Sequence, residues 1–237
     1  MIHLIGISGK KQTGKDTVCK IIEMLHWESC ADTTEDKYWR YIVRVLQKKN
    51  KFFDSTSHWT KQSFAHTLKK CLAEILDVPI EKLEDETFKN SEIDWLTDNN
   101  GKKYTVRRLL QEFGTDVGRK ISPMIWCMPL MKKYDEAKKK NHPYWIITDV
   151  RFECEAEEIR KRGGLLIRVN RPKPKRDFIQ RIAYFLRGRN KQERKASKHE
   201  SETALDNYAH FNEVINSDGS LLDLVEKVAK ISDKYRL

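Results

Sequence analysis

The stretch that most constrains this chain is its beginning, MIHLIGISGKKQTGKDT. A short apolar run (Ile2, Leu4, Ile5, Ile7) feeds Gly9-Lys10-Lys11-Gln12-Thr13-Gly14-Lys15, and the helical pattern Val18, Ile21, Ile22, Leu25 follows. Strand, glycine-bounded loop and helix form the context that a phosphate-binding loop requires. The glycines let backbone N–H groups turn inward around a polyphosphate, the helix N-terminus adds positive dipole, and Lys15 can reach the outer phosphates. One position departs from G-x-x-x-x-G-K-[ST]. Asp16 stands where a hydroxyl would hold magnesium, and Thr17 comes one step later. Read without that context, the segment is only a glycine-containing turn opening a helix.

The remaining pattern predicts an α/β fold with a parallel sheet and insertions after its strands. The first helix is expected over 15–27. A short helix is expected at 39–46 (WRYIVRVL), within an otherwise polar and irregular 28–60. Ala65, Leu68, Leu72, Ile75 and Leu76 share a helical face that ends at Asp77-Val78-Pro79. Residues 81–103 read as an acidic excursion closed by the turn Asn99-Asn100-Gly101. Thr105 opens a helix expected to end at Gly114, and 116–140 reads as helical with a break at Pro123. Strand 144–149, helix 153–162, the turn Gly163-Gly164 and strand 165–169 form a β–α–β unit, expected to be right-handed. A strand at 211–215 and a helix at 221–232 complete the chain. On such sheets ligands bind at the carboxyl ends of the strands.

The 237 residues include 39% hydrophobic and 34% charged side chains, enough for a core under a heavily charged surface. No apolar run approaches the roughly 20 residues of a membrane helix, and the start of the chain does not resemble a secretion signal. Five scattered cysteines, without a C-x-x-C pair, suit free thiols in a reducing cytoplasm. His199-Glu200-Ser201-Glu202 lacks the spacing of a zinc site. The net charge of +11 is concentrated in one place. Between Arg160 and Lys198, fifteen Lys or Arg stand against Asp177 and Glu193, a local balance of +13 that leaves the rest slightly acidic. The segment includes Arg171, Arg176, Arg181, Arg187, Arg189 and Arg194, and arginine offers bidentate contacts to phosphate. It reads either as a solvated helix or as an anion-binding element.

Other candidates for chemistry lie farther along. Asp149 closes an apolar strand and can organise magnesium or a substrate hydroxyl, or simply cap the next helix. Arg151 and Glu155, four apart, can share a face or pair. In TVRRLLQEFGTDVGR, Leu109, Leu110 and Phe113 read as core, while Arg107, Gln111 and Arg119 can line a pocket or a solvated face. Trp126 reads as core or as a stacking platform.

These segments together resemble a known family. GISGKKQTGKDT, SFAHTLK, TVRRLLQEFGTDVGR, Trp126, ITDVRFECEAEEIR, GGLLIRVNRP, HESE and VINSDGS occur in the order seen in the deoxynucleoside monophosphate kinases of tailed phages. The match runs from Ile5 to about Ser220, and that family also carries Asp after the loop lysine. The resemblance implies a P-loop fold of adenylate-kinase type and transfer of the ATP γ-phosphate to deoxynucleoside 5′-monophosphates. It implies a single domain, with core regions at about 1–30, 61–80, 141–170 and 203–237. The acceptor-binding region would span about 31–60 and 81–140, and a lid about 171–200.

By the same resemblance, Lys11, Thr13, Gly14, Lys15, Asp16 and Thr17 hold ATP and Mg²⁺, the metal at Asp16 and Thr17. Asn216, Asp218 and Gly219 lie in the loop beside the adenine. Phe64, Ala65, Lys69, Arg107, Gln111, Gly114, Thr115, Arg119, Trp126, Asp149, Arg151 and Glu155 serve the acceptor nucleotide. Lys15, Arg151 and Arg171 act in the transfer. Two departures stand out. His66 replaces the family's usual acid, and 28–60 matches no family segment; the lid is too variable for its arginines to be transferred singly. Small-molecule nucleotides are the expected partners, in the cytoplasm (the host's for a viral protein). No membrane or stable nucleic-acid partner is expected, and a homodimer is allowed. The alternatives are a phosphomevalonate kinase, whose loop also ends Gly-Lys-Asp, and a basic nucleic-acid-binding module. Against the first stands LLQEFGTDVGR. Against the second, Phe178, Tyr184 and Phe185 fall where a helix would pack them rather than where bases would stack.

Overall fold

Leu4–Ser8 forms strand β1 and is buried along its whole length, with apolar side chains at Leu4, Ile5 and Ile7 and a polar one only at Ser8. Strands covered on both faces read as continuous apolar runs rather than as alternation. A computed structural model describes residues 2–28, 59–140, 144–172 and 200–237. The chain divides into two compact units, Met1–Gln62 with Asn141–Leu237 and Ser63–Lys140. The helix expected at 39–46, Cys30 and the basic stretch 173–198 lie outside the described residues.

In the first unit, β1 is the middle strand of a five-stranded sheet with β2 (Trp59–Gln62), β5 (Tyr144–Val150), β6 (Leu165–Asn170) and β7 (Glu213–Asn216). The order is β2-β5-β1-β6-β7, and every pairing is parallel. The expected α/β class with a parallel sheet is therefore what forms. Helix α1 (Lys15–Glu28) and the C-terminal helix α6 (Leu221–Tyr235) pack together. Their Val18, Ile21, Ile22, Val225 and Val228 close the core over Ile5, Ile7, Ile146, Ile167 and Ile215. Because β1 alternates faces, Gly6 points the other way, and there helix α5 (Glu153–Lys161) lies against it. A Cβ on Gly6 would stand 2.6 Å from Ile159 Cδ1 and 2.8 Å from Leu166 Cδ2, so glycine sets how closely that helix approaches. The start of α6 is fixed by a capping box: Ser220 Oγ accepts from the Asp223 amide at 3.1 Å, and Asp223 Oδ2 accepts from the Ser220 amide at 2.6 Å.

The second unit is built on helix α2 (Ala65–Leu76), helix α3 (Val106–Gln111) and helix α4 (Cys127–Lys140), with a hairpin of β3 (Glu92–Thr97) and β4 (Lys103–Thr105). Helix α2, which the sequence reading placed with the core, clusters here, and Asp77 ends it in the left-handed conformation. Within the acidic excursion the turn is as expected. Gly101 takes φ 75°, and the Asp98 carboxylate accepts from the amides of Asn100 and Lys102, both at 3.0 Å. The apolar centre joins Leu68, Leu72, Leu83, Ile93, Val106 and Trp126.

One expectation fails. The helix that Thr105 opens does not stop at Gly114. It continues as a π-helix over Glu112–Gly118 and then as Arg119–Ile121. Gly114, expected to end the helix, is a packing position instead, and so is Gly118. A Cβ at Gly114 would lie 2.7 Å from Leu68 Cδ2, and one at Gly118 would lie 2.5 Å from the Trp126 ring.

A charged cluster joins the hairpin to α3. Arg108 donates from Nε to Glu112 at 2.7 Å and from a terminal nitrogen to Asp98 at 2.8 Å, while Tyr104 donates its hydroxyl proton to Glu112 at 2.7 Å. Burial pushes the Glu112 carboxyl up, but the bonds from Arg108 and Tyr104 outweigh it and hold it below its ordinary range. Asp98 is held low by Arg108 and by the amides of Lys102 and Asn100. A depressed carboxyl contributes stability above its unfolded value, about 4, and loses it as pH falls through the folded value. The melting temperature is therefore expected to drop below about pH 4, and Glu112→Gln should flatten part of that drop. Superimposable acid limbs for the two proteins would contradict the assignment.

Candidate active site

The loop between β1 and α1 is shaped by three backbone positions. Gly9 turns where a side chain cannot fit: a Cβ there would collide with the Val169 carbonyl oxygen and stand 2.7 Å from Thr13 Oγ1. Gln12 and Gly14 both adopt positive φ, 64° and 97°, the kind of turn that aims successive amides into a concavity. Thr13 is buried and ties the loop to itself, its hydroxyl donating to the Lys10 carbonyl at 2.9 Å. Helix α1 then begins with the Val18 amide on the Gly14 carbonyl at 2.9 Å. Lys15 folds back over the loop and donates its ammonium protons to the carbonyls of Gly9 (2.6 Å) and Lys10 (2.7 Å). Bonds from a cation to neutral carbonyls are weaker than bonds to an anion, so a phosphate can displace them.

Lys11 is exposed at the loop's outer edge. Asp16 lies in the first turn of α1, where a negative charge favours the helix dipole. Its carboxylate accepts from Lys61 Nζ at 2.7 Å. Burial pushes the Asp16 carboxyl up, but Lys61, together with the charges of Lys15 and Lys20, holds it below its ordinary value. Lys61 is held above its own, burial opposing and Asp16 prevailing. Three residues on, Cys19 is buried, and that burial and Glu23 push its thiol up, so it remains a protonated packing group.

Asn216, Ser217, Asp218 and Gly219 run beside this loop. The Ser217 hydroxyl donates to the Thr13 carbonyl at 2.6 Å, and its amide donates to Asn170 at 2.8 Å. Lys227 binds the Asn216 carbonyl at 2.7 Å and reaches Asp218 at 3.5 Å. The register Ser8↔Val150 puts the end of β5 level with the start of the loop, so Asp149 and Arg151 belong to the same edge of the sheet. Strand β5 runs one residue past Asp149 before turning. Glu155 is buried and accepts from the amides of Arg151 (2.7 Å) and Phe152 (3.1 Å). That makes it the third residue of α5, reaching back over the Phe152 N-cap, with its carboxylate engaged by backbone donors. Arg171 follows β6 directly and is exposed.

The other candidates lie in the second unit. Phe64 is buried, Ala65 begins α2, and Lys69 pairs with Glu84. Arg107, on the same helical face as Gln111, is held by Asn90 at 3.0 Å and Glu86 at 2.9 Å. Thr115 sits within the π-helix, and Arg119 donates to the Pro123 carbonyl at 2.8 Å. Trp126 is buried in the apolar centre, and its indole N–H donates to the Gly114 carbonyl at 2.7 Å. It acts there as the clamp on the π-helix. Trp126→Phe keeps most of the packing but removes that donor, so a loss of about 1 kcal/mol in unfolding free energy is expected; an unchanged denaturant midpoint would count against the clamp. His66, at the position where the resemblance leads to an acid, is exposed. Partial burial, then Lys70, Lys133 and Lys69, keep its imidazole below the ordinary range, so it is neutral near pH 7 and does not substitute for a carboxylate.

Sequence reasoning missed Lys61 on Asp16 and a tether of Lys10, Asp206 and Arg168. Asp206 accepts from Lys10 at 2.6 Å and from Arg168 at 2.8 Å, and Arg168 also donates to Ser8 Oγ at 2.9 Å. No motif announces pairs that join residues 45 and 196 positions apart.

The donor set suits a polyphosphate with a hard cation: a loop turned by positive φ at Gln12 and Gly14, the Lys15 ammonium, and oxygen ligands at Asp16 and Thr17. Residues 50–228, most of the chain, match the family model of deoxynucleotide monophosphate kinase. The chain belongs to that family. A relative in Acanthamoeba polyphaga mimivirus, named by inference as a deoxynucleotide monophosphate kinase, is 32% identical over 123 residues. That match covers 47% of this chain and 61% of the relative. A solved dephospho-CoA kinase of Campylobacter jejuni aligns over 99% of this chain and 98% of its own, with TM-score 0.45 and 13% identity. No helix among the described residues is long and apolar enough to cross a membrane.

Proposed function

We propose that this member of the family transfers the γ-phosphoryl group of ATP to a deoxynucleoside 5′-monophosphate, giving a diphosphate and ADP. A bond forms from an acceptor phosphate oxygen to the γ-phosphorus, and the bond from that phosphorus to the β–γ bridging oxygen breaks. The observation that carries this reading is the Lys15 ammonium, which rests on the Gly9 and Lys10 carbonyls inside the loop, acceptors that anionic phosphate oxygens can replace. Phosphoryl transfer asks little covalent chemistry of a protein; position and charge neutralisation supply most of the rate.

In this reading the loop amides and Lys15 bind the β- and γ-phosphates, and Thr13 keeps the loop's shape. Asp16 and Thr17 hold Mg²⁺, which when bound spreads charge away from the transferring group. The Asn216–Gly219 loop borders the adenine, Ser217 anchoring it to Thr13. Arg151 and Arg171 meet phosphate, and Asp149 meets the metal or the acceptor. Arg107, Gln111, Thr115 and Arg119 receive the acceptor nucleotide, on a π-helix that Trp126 shapes. The thiols of Cys19, Cys71, Cys127 and Cys154, outside any disulfide among the described residues, suit a reducing cytoplasm, the host's for a viral protein.

The test is ADP release from MgATP across dAMP, dGMP, dCMP, dTMP, hydroxymethyl-dCMP and phosphomevalonate. Stimulation by at least one deoxynucleotide, and none by phosphomevalonate, is the expected pattern. Stimulation by phosphomevalonate alone would replace the acceptor assignment.

A further inference from the structure

Lys61 is the third residue of β2, Lys61↔Ile146 in the register with β5. Its ammonium donates to Asp16 Oδ1 at 2.7 Å. Both side chains are more than half exposed, and exposed pairs of this kind add little to stability. Its place gives the pair its interest. Asp16 follows Lys15 at the position where related phosphate loops offer a metal-binding hydroxyl. Along the same stripe of α1, three and then four residues on, come Cys19 and Glu23, joined by a 3.5 Å contact. Lys61 is thus a cation paired with the first turn of α1, on the carboxylate read here as a metal ligand.

We propose that Lys61 is a positioning residue that occupies Asp16 when metal is absent, so that Mg²⁺ enters the loop by displacing an ammonium. This rests on the reading of Asp16 as a metal ligand given above. Lys61 keeps the carboxylate oriented without metal, and by competing for it sets the metal concentration at which the loop fills. Lys61→Met frees Asp16 and should tighten metal binding; Lys61→Arg retains a competing cation and should stay near the parent.

The experiment titrates Mn²⁺ into the full-length protein with saturating ADP, followed by water proton relaxation, and measures metal-free ADP binding by calorimetry. Circular dichroism checks the fold of each variant. The expected result is an Mn²⁺ dissociation constant about two- to fivefold lower for Lys61→Met, as the coupling of an exposed pair implies, with metal-free ADP affinity unchanged. Asp16→Asn should weaken Mn²⁺ binding and abolish the effect of Lys61→Met when the two are combined. If Asp16→Asn weakens Mn²⁺ but Lys61→Met matches the parent, the competition is wrong and the metal reading stands. If Lys61→Met instead weakens metal-free ADP binding, Lys61 touches phosphate and the proposal falls. If Asp16→Asn leaves Mn²⁺ binding untouched, the metal reading fails, and this inference with it.

Discussion

Lys15→Ala should cut phosphoryl transfer by at least about 10²-fold, the scale for removing one preorganised donor to developing charge, while leaving the fold intact. The two halves of that expectation have separate causes. Lys15 donates to the Gly9 and Lys10 carbonyls, so its ammonium already sits at the centre of the loop and needs only to exchange partners when phosphate arrives. In the proposed mechanism alanine removes the charge that balances the transferring group, and Lys10, tied to Asp206, is not free to replace it. The fold survives because the carbonyl of exposed Lys10 can turn to water, and α1 keeps its first bond from Val18 to Gly14. Matching circular dichroism spectra and melting temperatures, alongside turnover measured with MgATP and a deoxynucleotide, check both halves. A well-folded variant with near-normal turnover would remove Lys15 from the mechanism.

Gly9→Ala should be more damaging to structure than any other single change in the loop. The added methyl meets the Val169 carbonyl oxygen, part of the β6 backbone, and Thr13 Oγ1 at 2.7 Å. Strand β6 is paired on both sides, to β1 and to β7, so it cannot yield. The loop must shift instead, and overpacking of this kind costs about 1–3 kcal/mol. Nucleotide affinity should fall with stability, because the displaced loop loses the shape set by Gln12 and Gly14. Gly14→Ala is the control. Its nearest neighbour would be Ser217 Oγ at 3.7 Å, so only the left-handed backbone at φ 97° is strained, at about 1 kcal/mol. Melting temperature and ADP binding for the two variants, side by side, test the ranking. Equal effects would mean that backbone conformation, not the close approach to Val169, shapes the loop.

Part of this molecule is legible in the sequence because its signals are local. The run Leu4–Ser8, the glycine spacing and the helical period through Leu25 each depend on residues a few positions apart, and β1, the loop and α1 form where they indicate. The same holds for α5 between β5 and β6, and for the turn at Gly101. Gly114 shows the limit. A glycine ending an apolar helical pattern reads as a terminator, but the packing of Leu68 and Trp126, from elsewhere in the chain, turned it into a contact point inside a π-helix. Trp126 left core and stacking open at sequence level, and its burial with its indole N–H on Gly114 favours the clamp. Glu155 accepts the Arg151 backbone amide, a bond that the four-residue spacing of the two side chains does not by itself indicate. Lys61 and Asp206 left no local trace, since their meaning comes from which strand ends meet at the loop.

The most direct test of the central claim follows the γ-phosphate itself. The full-length protein is incubated with γ-labelled ATP, Mg²⁺ and each deoxynucleoside monophosphate in turn, and the nucleotides are separated. The expected result is label in a deoxynucleoside diphosphate, formed in step with ADP and lost in Lys15→Ala. Label released only as inorganic phosphate, at a rate indifferent to every deoxynucleotide supplied, would contradict the assignment.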